Sequence, residues 1–315
     1  MKQKESGSKK VGKNRERIRK RDFVGYANRK FNFSWPDGKR LALSIVVNYE
    51  EGSEHSYPVD TTVEGLGEFL PVDIPIRDVG NESSYEYGPR VAIWRILDTL
   101  KRYNVKATFF ATATALQFNE LAAKAIVELG HEICDHGLRW TEHFRLTREQ
   151  EKRAIRRSVE IINRIIGKKP VGFYAREPSQ FTLGILQSMK NFLYDSDEYN
   201  DDLPYRYGGK DGILILPYSP DVNDLHFQSP MHRFSNSHDF LVYLKDTFDV
   251  LRAESQVTPK MMSVGLHCRV IGRPGRIVAL TRFLEYVGEH KKDVWVATRE
   301  EIARYWINHV EGNLN

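Results

Sequence analysis

"RLALSIVVNYEEG", Arg40 to Gly52, decides the fold. Its first eight residues form an apolar, β-branched run of buried-strand length, and the run breaks off abruptly into polar and acidic residues. Outward from it the chain alternates. "PRVAIWRILDTLKRYN" has apolar residues at helical spacing with Pro89 suited to a first turn, "VKATFFAT" reads as a strand, and "ALQFNELAAKAIVELG" reads as one helix ending at Gly130. "HEICDH" is a short strand, and the long helix after it opens at Thr147 with Gln150 three residues on and closes at Gly167. "VGFYA", "FLYDS", "GILILPY", "KMMSVGLH" and "DVWVAT" are strand-like, with helices over "SHDFLVYLKDTFDVLRAE", "GRIVALTRFLEYVGEH" and "REEIARYWI", the last capped by Thr298 and Glu301. Between the first strand and the first helix lies a Gly/Pro/Ser/Glu segment from Ser53 to about Gly88, longer than an ordinary loop and therefore expected to be functional.

Repeated strand–helix units without an internal repeat or linker argue one α/β domain, and about seven or eight such units favour a (β/α) barrel over an open doubly wound sheet. No glycine-rich phosphate loop or dinucleotide fingerprint follows the first strand, which weighs against nucleotide-based functions. The 315 residues, 41% hydrophobic and 28% charged, describe an ordinary globular protein. No run approaches the ~20 apolar residues that span a bilayer, and the basic N-terminus lacks the apolar core of a secretory signal. Cys134 and Cys268 give no disulfide framework and fit a reducing, cytoplasmic setting. Residues 1–22 hold ten Lys/Arg against three acids, so the net charge of +5 becomes −2 in the rest of the chain. We therefore read residues 1–22 as a solvated, disordered basic arm and residues 23–315 as the barrel domain, with no membrane and no specific nucleic-acid partner.

In a barrel the C-terminal ends of the strands form the catalytic face. Here they end in chemistry: Asn48–Glu51, Cys134–His136, Arg176–Glu177, Asp195–Asp197 and His267–Arg269. Charged groups repeated at strand ends are costly unless paired, and so usually functional. Glu50 and Glu51 adjoin, so in a strand they point to opposite faces and one of them can be a surface charge. His136 and His267 could each be a satisfied core histidine, Arg176 could pair with Glu177, and the cysteines read as buried fillers. The stretch "GHEICDHGLRWTEHF" resembles a metal site with a piece missing, because four residues after His136, where a second imidazole would share one ion, stands Trp140. His131 reads as the start of the strand, and His143, Asp201 and Asp202 as solvated loop residues.

These residues resemble the polysaccharide deacetylase, or NodB-homology, superfamily, whose fold is a distorted (β/α)7-type, TIM-like barrel. "NYEEG" matches its aromatic–acid–acid–Gly motif with Glu for both Asp, which implies Glu50 as catalytic base and Glu51 as metal ligand. The second motif's pair of histidines falls on His136 and Trp140, the third motif's arginine on Arg176 and its proline on Pro178. The fourth motif's acid falls near Asp195 or Asp197, and the final Leu-x-His motif resembles Leu266-His267 without the spacer. "RDFVGYANRKFNFSWPDGKRLALSIVVNYEEG", "YEYGPRVAIWRIL", "HGLRW", "YDSDEYNDDLPY" and "MMSVGLHCRVIGRPGRI" look more specifically like the cofactor-independent allantoinase and cyclic imide hydrolase branch. The chain departs from that branch at "AREPSQF", where a Gly-Arg-Asp-Ser-Pro-Asn-like stretch is common, and at Thr141–Phe144.

The resemblance implies a metal-free, cytoplasmic, tetrameric hydrolase opening a cyclic amide such as allantoin, as in purine catabolism. Glu50 or Glu51 would activate water, His267 would protonate the leaving nitrogen, and His136 would orient the water or the carboxylate. Trp140 would form a flat wall, with Arg176 and Arg269 on ring carbonyls or developing charge and Tyr87, Glu142 and Asp197 also lining the substrate. The alternative is a deacetylase of N-acetyl sugars using zinc or another divalent metal held by Glu51, His136 and Glu142. A binding protein without catalysis would need the strand-end acids and histidines to be structural.

Overall fold

A computed structural model describes residues 21–57, 59–63, 76–229 and 233–314. Its strands are β1 (Leu41–Tyr49), β2 (Thr108–Ala111), β3 (Glu132–Asp135), β4 (Gly172–Phe173), β5 (Tyr194–Asp195), β6 (Tyr205–Tyr207), β7 (Ile213–Ile215), β8 (Lys260–His267) and β9 (Val294–Val296). They form one sheet in the order β6-β7-β5-β4-β3-β2-β1-β8, with β9 on β1 and only β6 antiparallel. All nine residues of β1 are buried, because β8 pairs along it from Leu41 to Asn48 while β2 and β9 pair with its two ends. The sheet curls into a distorted TIM-like barrel in a single domain. Its described strands leave the ring open between the edge strands β6 and β8, and an isolated bridge from Asn223 to Gly265 lies on the β8 side of the gap.

The period of two along each strand sorts side chains into two layers. Leu41, Leu43, Ile45, Val47 and Tyr49 pack outward against the helices, together with Ile133, Val264 and Leu266. Ala42 and Val46 point inward with Phe110, Cys134, Tyr194 and Met261. Arg299 fills part of the inside of the ring, donating from Nε to Ser196 Oγ (3.0 Å), from Nη1 to Ser263 Oγ (2.8 Å) and from Nη2 to the Pro217 carbonyl (3.0 Å). Buried Glu132 beside it accepts from Tyr194 Oη at 2.6 Å and Thr108 Oγ1 at 2.7 Å.

Several helices differ from expectation. The first begins at Val79, not Pro89: Asp78 accepts from Asn81 N as its cap, and the helix Val79–Tyr87 passes through a π-turn, Gly88–Ala92, into the helix Ile93–Arg102. A wider turn lets Pro89 sit inside a helical run. The helix expected over Ala115–Gly130 is two, Ala113–Phe118 and Glu120–Glu128, because Asn119 leaves helical geometry and caps the second through Ala122 N. The capping boxes at Thr147/Gln150 and Thr298/Glu301 form, and Gly167 closes the long helix in the left-handed region. No described helix is long and apolar enough to cross a membrane. Residues 1–20 of the basic arm lie outside the described residues.

Candidate active site

The inward face of the strands builds the site. Glu50 follows β1 in phase with Ala42 and Val46, His136 follows β3 in phase with Cys134, and His267 ends β8 in phase with Met261 and Ser263. The register puts Tyr49 level with Ala111 and Ala111 level with Asp135, so Glu50 and His136 stand one step beyond the same row. Arg269 sits in the one-turn helix Cys268–Ile271 directly after β8. All four side chains are buried.

Glu50 is their hub. Arg269 Nη1 donates to its Oε1 at 2.6 Å, His136 Nε2 lies 3.2 Å from its Oε2, and His267 Nε2 lies 3.9 Å from Oε1. Burial pushes the Glu50 carboxyl up, but the Arg269 guanidinium and then the two imidazoles outweigh it and hold the group well below the ordinary carboxylate range. His136 Nδ1 is 2.9 Å from the Tyr174 carbonyl, which can only accept, so Nδ1 is the donor there and Nε2 is the nitrogen turned to Glu50. Tyr174 also stacks on the His136 ring at 5.0 Å.

Glu51 faces the other way, as its odd place in the strand requires. Its Oε1 accepts from Arg269 N at 2.8 Å and its Oε2 from Glu50 N at 3.2 Å, and its carboxyl lies against Gly88, where an added Cβ would come within 2.6 Å. Burial raises its pKa, the Arg269 guanidinium opposing and the Glu50 charge adding to the rise. The neighbouring acids are thus split, Glu50 toward the ionised form and Glu51 toward the protonated one.

Sequence reasoning missed Asp224. Its Oδ1 lies 2.7 Å from His267 Nδ1, and its Oδ2 accepts from His267 N and Ile271 N, both at 2.9 Å. A carboxylate facing Nδ1 fixes that nitrogen as a donor and turns Nε2 toward Glu50. The signal available was an acid after "GILILPY", in "PDVNDLHF". Also missed were Tyr85, whose ring lies 4.9 Å from the Arg269 guanidinium, and buried Glu54, which burial pushes up to about 7 despite hydrogen bonds from backbone N–H groups.

Asp195 and Asp197 fall in the outward phase of β5; Asp197 accepts from Ala175 N at 2.7 Å and braces the turn before Arg176, and Asp195 accepts from Asp197 N at 3.2 Å. Burial and then the Asp195 charge raise Asp197 well above the carboxylate range. The Arg176 guanidinium lies 4.0 Å over the Trp140 ring, and Arg269 lies 5.0 Å from the same ring. Glu142 is tied to His55 at 2.9 Å, and Tyr87 receives a hydrogen bond from Arg95 at 2.9 Å beneath the Arg273 guanidinium. His143, expected in a solvated loop, is buried beside Glu151 at 3.2 Å.

The polysaccharide deacetylase profile matches residues 82–191. A probable polysaccharide deacetylase from Pseudomonas aeruginosa PAO1 superposes with TM-score 0.87 at 42% identity, over 92% of this chain and 98% of that one. This chain belongs to the polysaccharide deacetylase family. A structure described as Puue allantoinase superposes equally, TM-score 0.87 at 40% identity, with the same coverage of 92% and 98%. A Schizosaccharomyces pombe protein that carries the polysaccharide deacetylase name provisionally is 37% identical over 312 residues, covering 91% of this chain and 96% of its own. The protein is accordingly a hydrolase of the deacetylase family.

The family's motifs provide for a divalent ion on an acid and two histidines, and the residues here do not fit one. Among the described residues no three His, Cys, Asp or Glu side chains converge to hold a metal. Both His136 nitrogens are engaged, Glu51 is turned to backbone N–H groups, and Trp140 stands at the second histidine's place. A dication about 4 Å from the buried guanidinium would meet a repulsion of roughly 8 kcal/mol at an effective dielectric of about 20.

Proposed function

We propose that the protein hydrolyses a carbon–nitrogen bond in a cyclic amide, allantoin or a related ureide or imide, without a metal. The observation that carries this reading is the charge arrangement at Glu50: a buried carboxylate held between one guanidinium and two imidazoles, with a tryptophan where a second metal-binding imidazole would stand. The likeness to a structure described as an allantoinase supports the choice of substrate.

In this reading Glu50 removes a proton from water as its oxygen attacks the ring carbonyl. Glu50 is a weak base while Arg269 holds it, and it strengthens as the guanidinium charge is shared with the developing oxyanion. Collapse of the tetrahedral adduct breaks the C–N bond, and the His267 imidazolium, stabilised by Asp224, gives its Nε2 proton to the leaving nitrogen. His136 holds Glu50 in place. Trp140, backed by Arg176, forms one wall for a flat ring. A cytoplasmic homotetramer belongs to the same reading, and sedimentation of the purified protein tests the assembly.

The test is turnover of a panel of allantoin, hydantoins, dihydropyrimidines, succinimide and chito-oligosaccharides, with and without EDTA. Opening of a cyclic amide that EDTA leaves unchanged is expected. Turnover of the sugars alone, and only with added metal, would overturn the reading in favour of the deacetylase alternative. That alternative draws on relatives such as the Helicobacter pylori peptidoglycan deacetylase, 26% identical over 84% of this chain.

A further inference from the structure

We propose that the Arg269 guanidinium is the resident cation of this site, occupying the electrostatic position of a divalent ion and presenting its Nε–H to the oxygen of the carbonyl under attack. This rests on the metal-free amidase reading.

The guanidinium is buried among carboxylates. Nη1 lies 2.6 Å from Glu50 Oε1 and 3.7 Å from Glu51 Oε1, two acids that correspond to the base and the ligand of the family's first motif. Tyr85 and Trp140 present their rings 4.9 and 5.0 Å from the guanidinium carbon, a cage suited to a positive charge. The backbone N–H of Arg269 is held by Glu51 Oε1 at 2.8 Å, so one acid fixes where the side chain starts while the other fixes where it ends.

One buried donor lacks a partner. Arg269 Nε is buried and has no hydrogen-bond partner among the described residues. An arginine this deep normally satisfies its whole fork, because a buried unmatched donor is costly. An oxygen carrying developing negative charge is the acceptor that would satisfy this donor. A metal would polarise the carbonyl and supply positive charge together. Arg269 supplies the charge from its planar face and the polarisation from Nε–H, with Glu50 beside it to take the proton of the attacking water. The balance is that of hydrolysis: the water oxygen bonds to carbon, its proton goes to Glu50, and the C–N electron pair leaves with a proton from His267. No redox partner enters.

The decisive measurement is zinc binding without substrate, by calorimetry and elemental analysis, on the full chain. The wild type and Trp140→His are expected to hold no stoichiometric zinc, because the guanidinium keeps the position. Trp140→His/Arg269→Gln, which restores the imidazole and removes the cation, is expected to bind zinc about 100-fold more tightly than Trp140→His alone. Equal affinity of the single and double variants overturns the proposal, as does stoichiometric zinc in the wild type. Should the double variant fail to fold, Arg269→Ala with guanidinium chloride decides: recovery of about tenfold or more in turnover by added guanidinium, and none by sodium chloride or zinc, is the expected result. Recovery by zinc, or no recovery in a folded Arg269→Ala protein, overturns it. Because zinc binding requires no substrate, failure of the cyclic amide assignment in the panel and failure of the cation assignment here are separate outcomes.

Discussion

Replacing Asp224 by Asn changes one atom's charge and leaves shape nearly constant, so it isolates what the carboxylate does for His267. Asp224 is buried, and its Oδ2 accepts two backbone N–H groups, from His267 and Ile271, both at 2.9 Å. Asparagine would keep its single oxygen on those two donors. Its NH2 group would then face His267 Nδ1, 2.7 Å from the atom it replaces. Two donors cannot face each other, so Nδ1 must become the acceptor and the ring proton must move to Nε2. The variant thereby loses the imidazolium form that serves as proton donor. A positioned general acid typically contributes about 10²–10⁴-fold, so kcat falls roughly a thousandfold. The expected Tm change is small, because both backbone donors stay satisfied. The assay is steady-state kinetics on whichever panel substrate is turned over, paired with nitrogen-15 spectra of His267 that read its tautomer directly. A folded variant that keeps kcat within about threefold of wild type, or a His267 that still protonates Nδ1, refutes the reasoning.

Other outcomes follow from the same geometry. Gly88→Ala places a Cβ 2.6 Å from the Glu51 carboxyl, so stability should fall by about 1–3 kcal/mol in a urea melt and activity should fall with it as the Arg269 backbone shifts. Glu54, raised to about 7 by burial, binds its proton more tightly folded than unfolded, so stability should fall as pH rises from about 4.5 through about 7 and then level off, by up to about 3 kcal/mol. Glu54→Gln should flatten that slope between melts at about pH 5 and about pH 8, and an unchanged slope would assign the effect elsewhere. Glu50 has the opposite sign: its lowered pKa contributes stability that is present at neutral pH and lost only as pH falls below about 4.5 toward the folded value, so Glu50→Gln should blunt acid destabilisation. Trp140→Leu removes the ring beneath Arg176 and beside Arg269, and kcat/KM should drop about tenfold with folding retained by circular dichroism.

The legible parts of this protein were those governed by local rules. The apolar run before Asn48 read as a buried strand, and it is the strand on which β2, β8 and β9 all pair. Thr147 with Gln150 and Thr298 with Glu301 read as capping boxes because both partners lie within one turn. The start at Val79 was hidden because its cap, Asp78, follows a segment without apolar periodicity, and Pro89 offered a more conventional beginning. Strand phase could have separated the acids further than it did. Counting by twos from Ala42 puts Glu50 inside, and the same count along β5 puts Asp195 and Asp197 outside with Phe173 of β4. What no count supplies is the meeting of Asp224 with His267, residues brought together only when the segment after β7 crosses the gap beside β8.

That crossing bears on why the site has the charges it has. A ring of parallel strands delivers side chains in rows, and here the row supplies two acids of opposite phase, Glu50 inward and Glu51 outward. An inward carboxylate at the barrel's end is expensive without a cation, and the fold admits one from the turn after β8, whose first backbone N–H groups are already held by Glu51 and Asp224. The outward acid thus fixes the backbone from which the cation reaches the inward one. With a guanidinium in that place, a histidine four residues after His136 would bring a further donor to a centre that already holds its cation, whereas an indole adds a face that attracts that cation. Trp140 and Arg269 therefore act as one unit, since the indole at the position that first looked like a missing ligand lies 5.0 Å from the guanidinium.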